Sequence, residues 1–166
     1  MDTLLRRIDG LIEILAGVGV LAYCAAALVS VADVLGRRVG LPVVGVVDLV
    51  QMFVIAGAWL SIPWGFTAGA HVGVDFLLDQ MPSRLSRGLR LVAALAAMGL
   101  MALVLWKCWH TFGMQMMMGD RSQQLGIPIA FYWLPLLVGA AAAMLAAATV
   151  ALRLLSGRAV ASSQAH

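Results

Sequence analysis

Four apolar stretches, each long enough to cross a bilayer, leave this chain little room to be anything but a membrane protein. A helix crossing the hydrocarbon core needs about 20 residues. Ile14 to Ala32 and Leu49 to Ala70 carry no charge, and Ser122 to Leu152 is likewise uncharged. Leu91 to Gly119 is broken only by Lys107 and His110. The composition agrees: 63% of the 166 residues are hydrophobic, 11% are charged, and the mean hydropathy is +0.98. A soluble domain is about 45–50% apolar and about 25% charged, so a water-soluble enzyme is excluded first. Nucleic-acid binding goes next. The formal charge of +3 rests on 11 basic against 8 acidic residues, which sit in short clusters between apolar blocks rather than along one face. Cys24 and Cys108 lie inside apolar runs and form neither a disulfide framework nor a C-x-x-C pair.

The sequence therefore predicts an all-α integral membrane protein. It forms a single four-helix domain over residues 1–166, with spans at approximately 12–35, 46–68, 89–112 and 128–152. The connectors Gly36 to Asp48, His71 to Arg90 and Met114 to Gln124 are too short to fold alone. Arg6 and Arg7 precede the first span and a near-lipobox surrounds Cys24, as in a signal peptide. Asp9 and Glu13 interrupt that approach, Tyr23 stands where a small residue is needed, and the apolar run continues past the site, so an uncleaved helix is expected. Basic residues of short loops favour the cytoplasm. With the N-terminus inside, that side holds Arg6, Arg7, Arg84, Arg87, Arg90, Arg153 and Arg158, against Arg37, Arg38 and Arg121 outside. Both termini are expected in the cytoplasm.

Pro42 and Pro128 sit near helix starts, whereas Pro63 and Pro135 lie inside spans and should kink them. Gly65, Gly69 and Gly73 are four apart and predict a face of close helix approach. The segment from His71 to Arg90 reads either as a short amphipathic piece at the cytoplasmic interface or as a solvated loop turned by Pro82. Trp59, Trp64, Trp106, Trp109, Tyr132 and Trp133 lie mostly toward span ends, as interfacial belts place them. The run from Met114 to Met118 reads as flexible apolar filler.

Chemistry is scarce. His71, His110 and His166 do not make the paired ligands of a four-helix haem protein, and no nucleotide-binding or hydrolase motif appears. No residue is therefore expected to be catalytic, cofactor-binding or metal-ligating. Ionisable residues inside spans are expensive and worth following. Asp33 and Arg37 are four apart and share a helix face; Asp48 opens the second helix, where a carboxylate complements the N-terminal dipole. Lys107, with His110 one turn on, reads either as a snorkelling residue or as a contact across a helix interface. No span shows paired central carboxylates or an unwound break of the kind that coordinates sodium and substrate. Such a chain looks like a scaffold rather than a complete pump.

Three blocks carry a family resemblance: "DVLGRRVGLPVVGVVDLVQ" (Asp33 to Gln51), "WLSIPWGFTAGAHVGVDFL" (Trp59 to Leu77) and "SQQLGIPIAFYWLPLLVG" (Ser122 to Gly139). The chain resembles the small membrane subunit, the DctQ-like or Q subunit, of tripartite ATP-independent periplasmic (TRAP) transporters, from Ile8 to about Arg153. The family's signature falls here on Gly69, His71, Val72, Val74 and Asp75; its Ile-Pro step falls on Ile127 and Pro128, followed by Tyr132, Trp133 and Pro135. Where the family often has Glu opening the second helix, this chain has Asp48. The resemblance implies a bacterial inner-membrane scaffold bound to a large DctM-like elevator subunit, which would hold the sodium and substrate sites, and served by a periplasmic DctP-like binding protein. It implies sodium-driven symport of an organic acid such as a C4-dicarboxylate. Features of the sequence fit those roles: Asp48, Trp59, Gly65, Gly69, Gly73, Lys107 and Pro128 are candidates for helix packing or large-subunit contact, and Arg37, Arg38, Asp120 and Arg121 for contact with the periplasmic partner. Asp33, His71, Asp75, Tyr132, Trp133 and Pro135 are expected to be structural. Two other classes compete: a homodimeric small multidrug-type proton antiporter using Glu13, and an assembly factor with no transport partner.

Overall fold

A computed structural model describes residues 2–68 and 83–155. Among these residues the elements are four helices: α1 (Asp2–Arg38), α2 (Val46–Thr67), α3 (Ser83–Met118) and α4 (Ala130–Leu155). All four are long and apolar enough to cross a membrane. Helices suit such sequences because hydrocarbon offers the backbone no water, and a helix satisfies its own N–H and C=O groups. The glycine signature at Gly69 and Gly73, with His71, Asp75 and most of the expected amphipathic segment, lies outside the described residues.

Two boundaries differ from the sequence expectation. α3 begins at Ser83, so Arg84, Arg87 and Arg90, assigned to a connector by their charge, stand on its first turns. At its far end the methionine run continues the helix to Met118, because Met is a good helix former and nothing before Gly119 stops it. Gly119 then takes φ +70°, and the N–H groups of Gly119 and Asp120 donate to Met116 and Gln115. This is a Schellman ending.

Spatial order departs from chain order. α1 packs on α2, α2 on α4 and α4 on α3, while α1 meets α4 over a much smaller area. The result is an open row, α1–α2–α4–α3, rather than a closed bundle. α4 sits inside that row, and its buried residues read Tyr132, Leu137, Gly139, Ala140, Ala143, Ala146, Ala147, Thr149, Ala151 and Leu154. Mostly small side chains let two helices approach α4 from opposite sides. α1 and α3 form the flanks and expose large apolar surfaces.

Two close approaches set the seams. At Gly57 of α2, an added Cβ would lie 2.8 Å from the Tyr23 ring of α1. At Gly139 of α4, the same atom would collide with the backbone carbonyl oxygen of Trp59. That carbonyl has a reason to be there. Pro63, fully buried inside α2, has no N–H to offer it four residues on, so the Trp59 oxygen is released from the helix ladder and meets the bare Cα of Gly139. At one end of the row, Arg153 of α4 donates to Asp9 of α1 at 2.5 Å. At the opposite end, residues 119–129 fold back as a hairpin between α3 and α4.

Candidate functional site

The hairpin holds itself together first. Ser122 donates its N–H to the Ile127 carbonyl at 2.9 Å, Ile129 donates to Asp120 at 3.2 Å, and the Ser122 hydroxyl accepts from the Ile127 N–H at 2.9 Å. Arg121 pairs backbone to backbone with Pro128, and its guanidinium donates to the Gly126 carbonyl at 3.2 Å. The tip, Gln124 and Leu125, is left with N–H groups that no hairpin partner accepts.

Asp48 accepts both. Its Oδ2 receives the Gln124 N–H at 2.9 Å and the Leu125 N–H at 2.8 Å, across 76 and 77 residues of sequence. The sequence reading placed this carboxylate as a complement to the dipole of its own helix. It does stand in the first turn of α2, but its hydrogen bonds go to the hairpin. Charge-assisted bonds to backbone donors are stronger than neutral ones, which makes a buried Asp48 tenable at 5% exposure. The Tyr132 hydroxyl adds a third tie, donating to the Asp48 carbonyl at 3.0 Å from the first turn of α4. Leu125 seats beside Gly45, whose φ of +75° starts α2. Trp133 completes the set by donating its indole N–H to Gln115 of α3 at 2.6 Å. One carboxylate, one phenol and one indole thus join α2, α3, α4 and the hairpin.

Asp33 does similar work on α1. Buried at 7% exposure, it accepts from Arg37 at 2.8 Å and from the Val43 N–H at 3.0 Å, pinning the loop that leads to α2. Arg37 is thereby tied to its own helix. Arg38, Asp120 and Arg121 are exposed at the same end. Trp59 is half-buried with its carbonyl on Gly139, Gly65 and Pro135 are half-buried, and Pro128 precedes α4. Lys107 is exposed on α3, its ammonium 4.7 Å from the Trp106 ring centroid.

Between the hairpin and the ends of α2 and α4 lies an open cleft of about 450 Å³. Gln51, Gln115, Arg121, Gln123, Tyr132 and Trp133 contribute to its wall. Sequence reasoning passed over Gln115, Ser122 and Gln51, because neutral polar residues beside apolar runs carry no motif. Their one signal was position, in or beside the blocks that also hold Asp48 and Tyr132. The amides and the guanidinium suit hydrogen bonding to a polar surface, while the Asp48 carboxylate that also lines the cleft is engaged by the Gln124 and Leu125 N–H groups. Among the described residues no three His, Cys, Asp or Glu side chains gather as metal ligands.

The family model of DctQ, described as tripartite ATP-independent periplasmic transporters, DctQ component, matches residues 26–157. The chain belongs to the DctQ family. The match runs from the middle of α1 past the end of α4 and takes in both Asp33 and Asp48 with their partners. No curated protein and no solved structure matched the chain. DctQ proteins are components of a transporter, not enzymes, and this member is a small permease component of a TRAP system.

Proposed function

We propose that this DctQ protein is the static membrane scaffold of a sodium-driven TRAP transporter for organic acids, of the C4-dicarboxylate or a related carboxylate class. It lies in the bacterial inner membrane with both termini in the cytoplasm. It binds the large permease subunit, which holds the sodium and substrate sites, and the hairpin end faces the periplasmic binding protein.

The family match carries this reading. The distribution of ionisable groups supports the scaffold role. Asp33, Asp48, Asp9 and Arg153 are engaged in bonds that fix helix ends or join helices. Groups held that way do not cycle between states as a transport site must. The arginine distribution supports the proposed membrane orientation.

Reconstitution tests it. The chain, the large subunit and the binding protein together in proteoliposomes should take up a labelled organic acid under an inward sodium gradient. Leaving out this chain should abolish uptake. Uptake that survives without it, or without sodium, would refute the reading.

A further inference from the structure

The two flanks of the helix row are chemically unequal. On α1 the exposed side chains across the apolar stretch are uncharged and mostly aliphatic, with Leu21 69% and Leu28 70% exposed beside Tyr23 and Cys24. Such a surface suits lipid tails. On α3 an exposed stripe at spacings of three and four runs Gly99, Leu103, Trp106, Lys107, His110 and Met114. It carries a cation, an imidazole and a tryptophan that is 63% exposed.

Depth decides whether that cation needs a partner. The tilted contact of Phe112 with Trp133 (6.4 Å between centroids) and the Trp133–Gln115 bond fix the level of α3 against α4. From Trp133 to Arg153, α4 runs twenty residues, about 30 Å and hence about one hydrocarbon thickness. Lys107 lies five residues inward of Phe112, about 7 Å, so its Cα is inside the slab. The direction of α3 adds to the problem. Helical Cα–Cβ bonds tilt toward the N-terminus, which for α3 points away from the nearer surface. Glu13 on α1 is the reverse case: it is one turn from Asp9 and its tilt leads toward the nearer surface, so it can snorkel. Lys107 has the Trp106 ring and, among the described residues, no carboxylate within an ion-pair distance. A charge at this depth calls for a counter-charge.

We infer that the α3 stripe around Lys107 is the docking face for the large permease subunit, through a membrane helix that presents a carboxylate to the Lys107 ammonium, while α1 faces lipid. This rests on the reading of the chain as that subunit's scaffold. Gly99, with no neighbour within 4 Å of where a Cβ would stand, gives the incoming helix a notch two turns from Lys107.

The experiment co-expresses the full chain with the large subunit in native membranes and places a photoreactive phenylalanine singly at Leu103, Trp106, Leu21 or Leu28. Crosslinks to the large subunit are expected from the two α3 positions and from neither α1 position. Crosslinks from α1, or only phospholipid adducts from α3, overturn the docking face. In parallel, the recovery of large subunit with the tagged chain should fall at least about tenfold in Lys107→Glu and persist in Lys107→Arg. Equal recovery with both variants overturns the charge pairing. If the unsubstituted chain recovers no large subunit, the scaffold reading itself fails; recovery with crosslinks from the wrong flank leaves that reading standing and removes this one.

Discussion

At the scale of single residues, buried carboxylates organise this protein by capping backbone that would otherwise lack acceptors. Asp48→Ala should strand the N–H groups of Gln124 and Leu125, at about 1–3 kcal/mol for leaving such donors unsatisfied. The melting temperature in detergent should fall clearly for Asp48→Ala and less for Asp48→Asn, which keeps one acceptor oxygen. An unchanged Asp48→Ala melt would show that water replaces the carboxylate without loss. Tyr132→Phe, which removes only the hydroxyl donated to Asp48, is expected to cost about 0.5–1.5 kcal/mol in the same assay. The importance of Asp33 and Asp48 was legible in the sequence because carboxylates next to apolar runs are conspicuous. The Asp33–Arg37 pair could be read from spacing alone. What Asp48 binds could not be, because its partners lie 76 and 77 residues away on a hairpin tip with no motif.

Helices here are joined by missing atoms as much as by present ones. At the α2–α4 seam, Pro63 withholds a hydrogen and Gly139 withholds a side chain, and the Trp59 carbonyl occupies the space between. Gly139→Leu should push α2 from α4, with a loss of about 1–3 kcal/mol typical of overpacking. Gly99→Leu, into open space, should leave the isolated chain's melting temperature unchanged within error. If both variants melt alike, the seam is not the constraint it looks to be. Four helices were readable from hydropathy because bilayer thickness fixes their length. Their neighbours were not. The small-residue spacing at Gly65, Gly69 and Gly73 is conspicuous, whereas Gly57 with Ser61, and Gly139 with Ala143, Ala147 and Ala151, repeat the same spacing in a chain so rich in alanine that it does not stand out. Their significance arises only when another helix comes against them.

For the molecule as a whole, the row geometry leaves α1 and α4 braced at one end by Asp9 and Arg153, which are 144 residues apart. Arg153→Asp should destabilise the chain, and the exchange Asp9→Arg with Arg153→Asp should recover part of the loss, as seen in a double-mutant cycle of detergent melts. No recovery would mean that the two groups act independently. The same row has a consequence for how the protein is made. Helices enter the membrane in chain order, yet the helix that joins α2 to α3 is synthesised after both of them. Until α4 emerges, α1 and α2 can pair, but α3 has no neighbour among them to pack on. Joining α3 to the row is therefore an insertion rather than an addition, as α4 slides between two helices already in place and the hairpin closes over Asp48. A ribosome-bound chain halted after α3 should hold a paired α1–α2 and a stray third helix, open to whatever chaperone or partner subunit reaches it first.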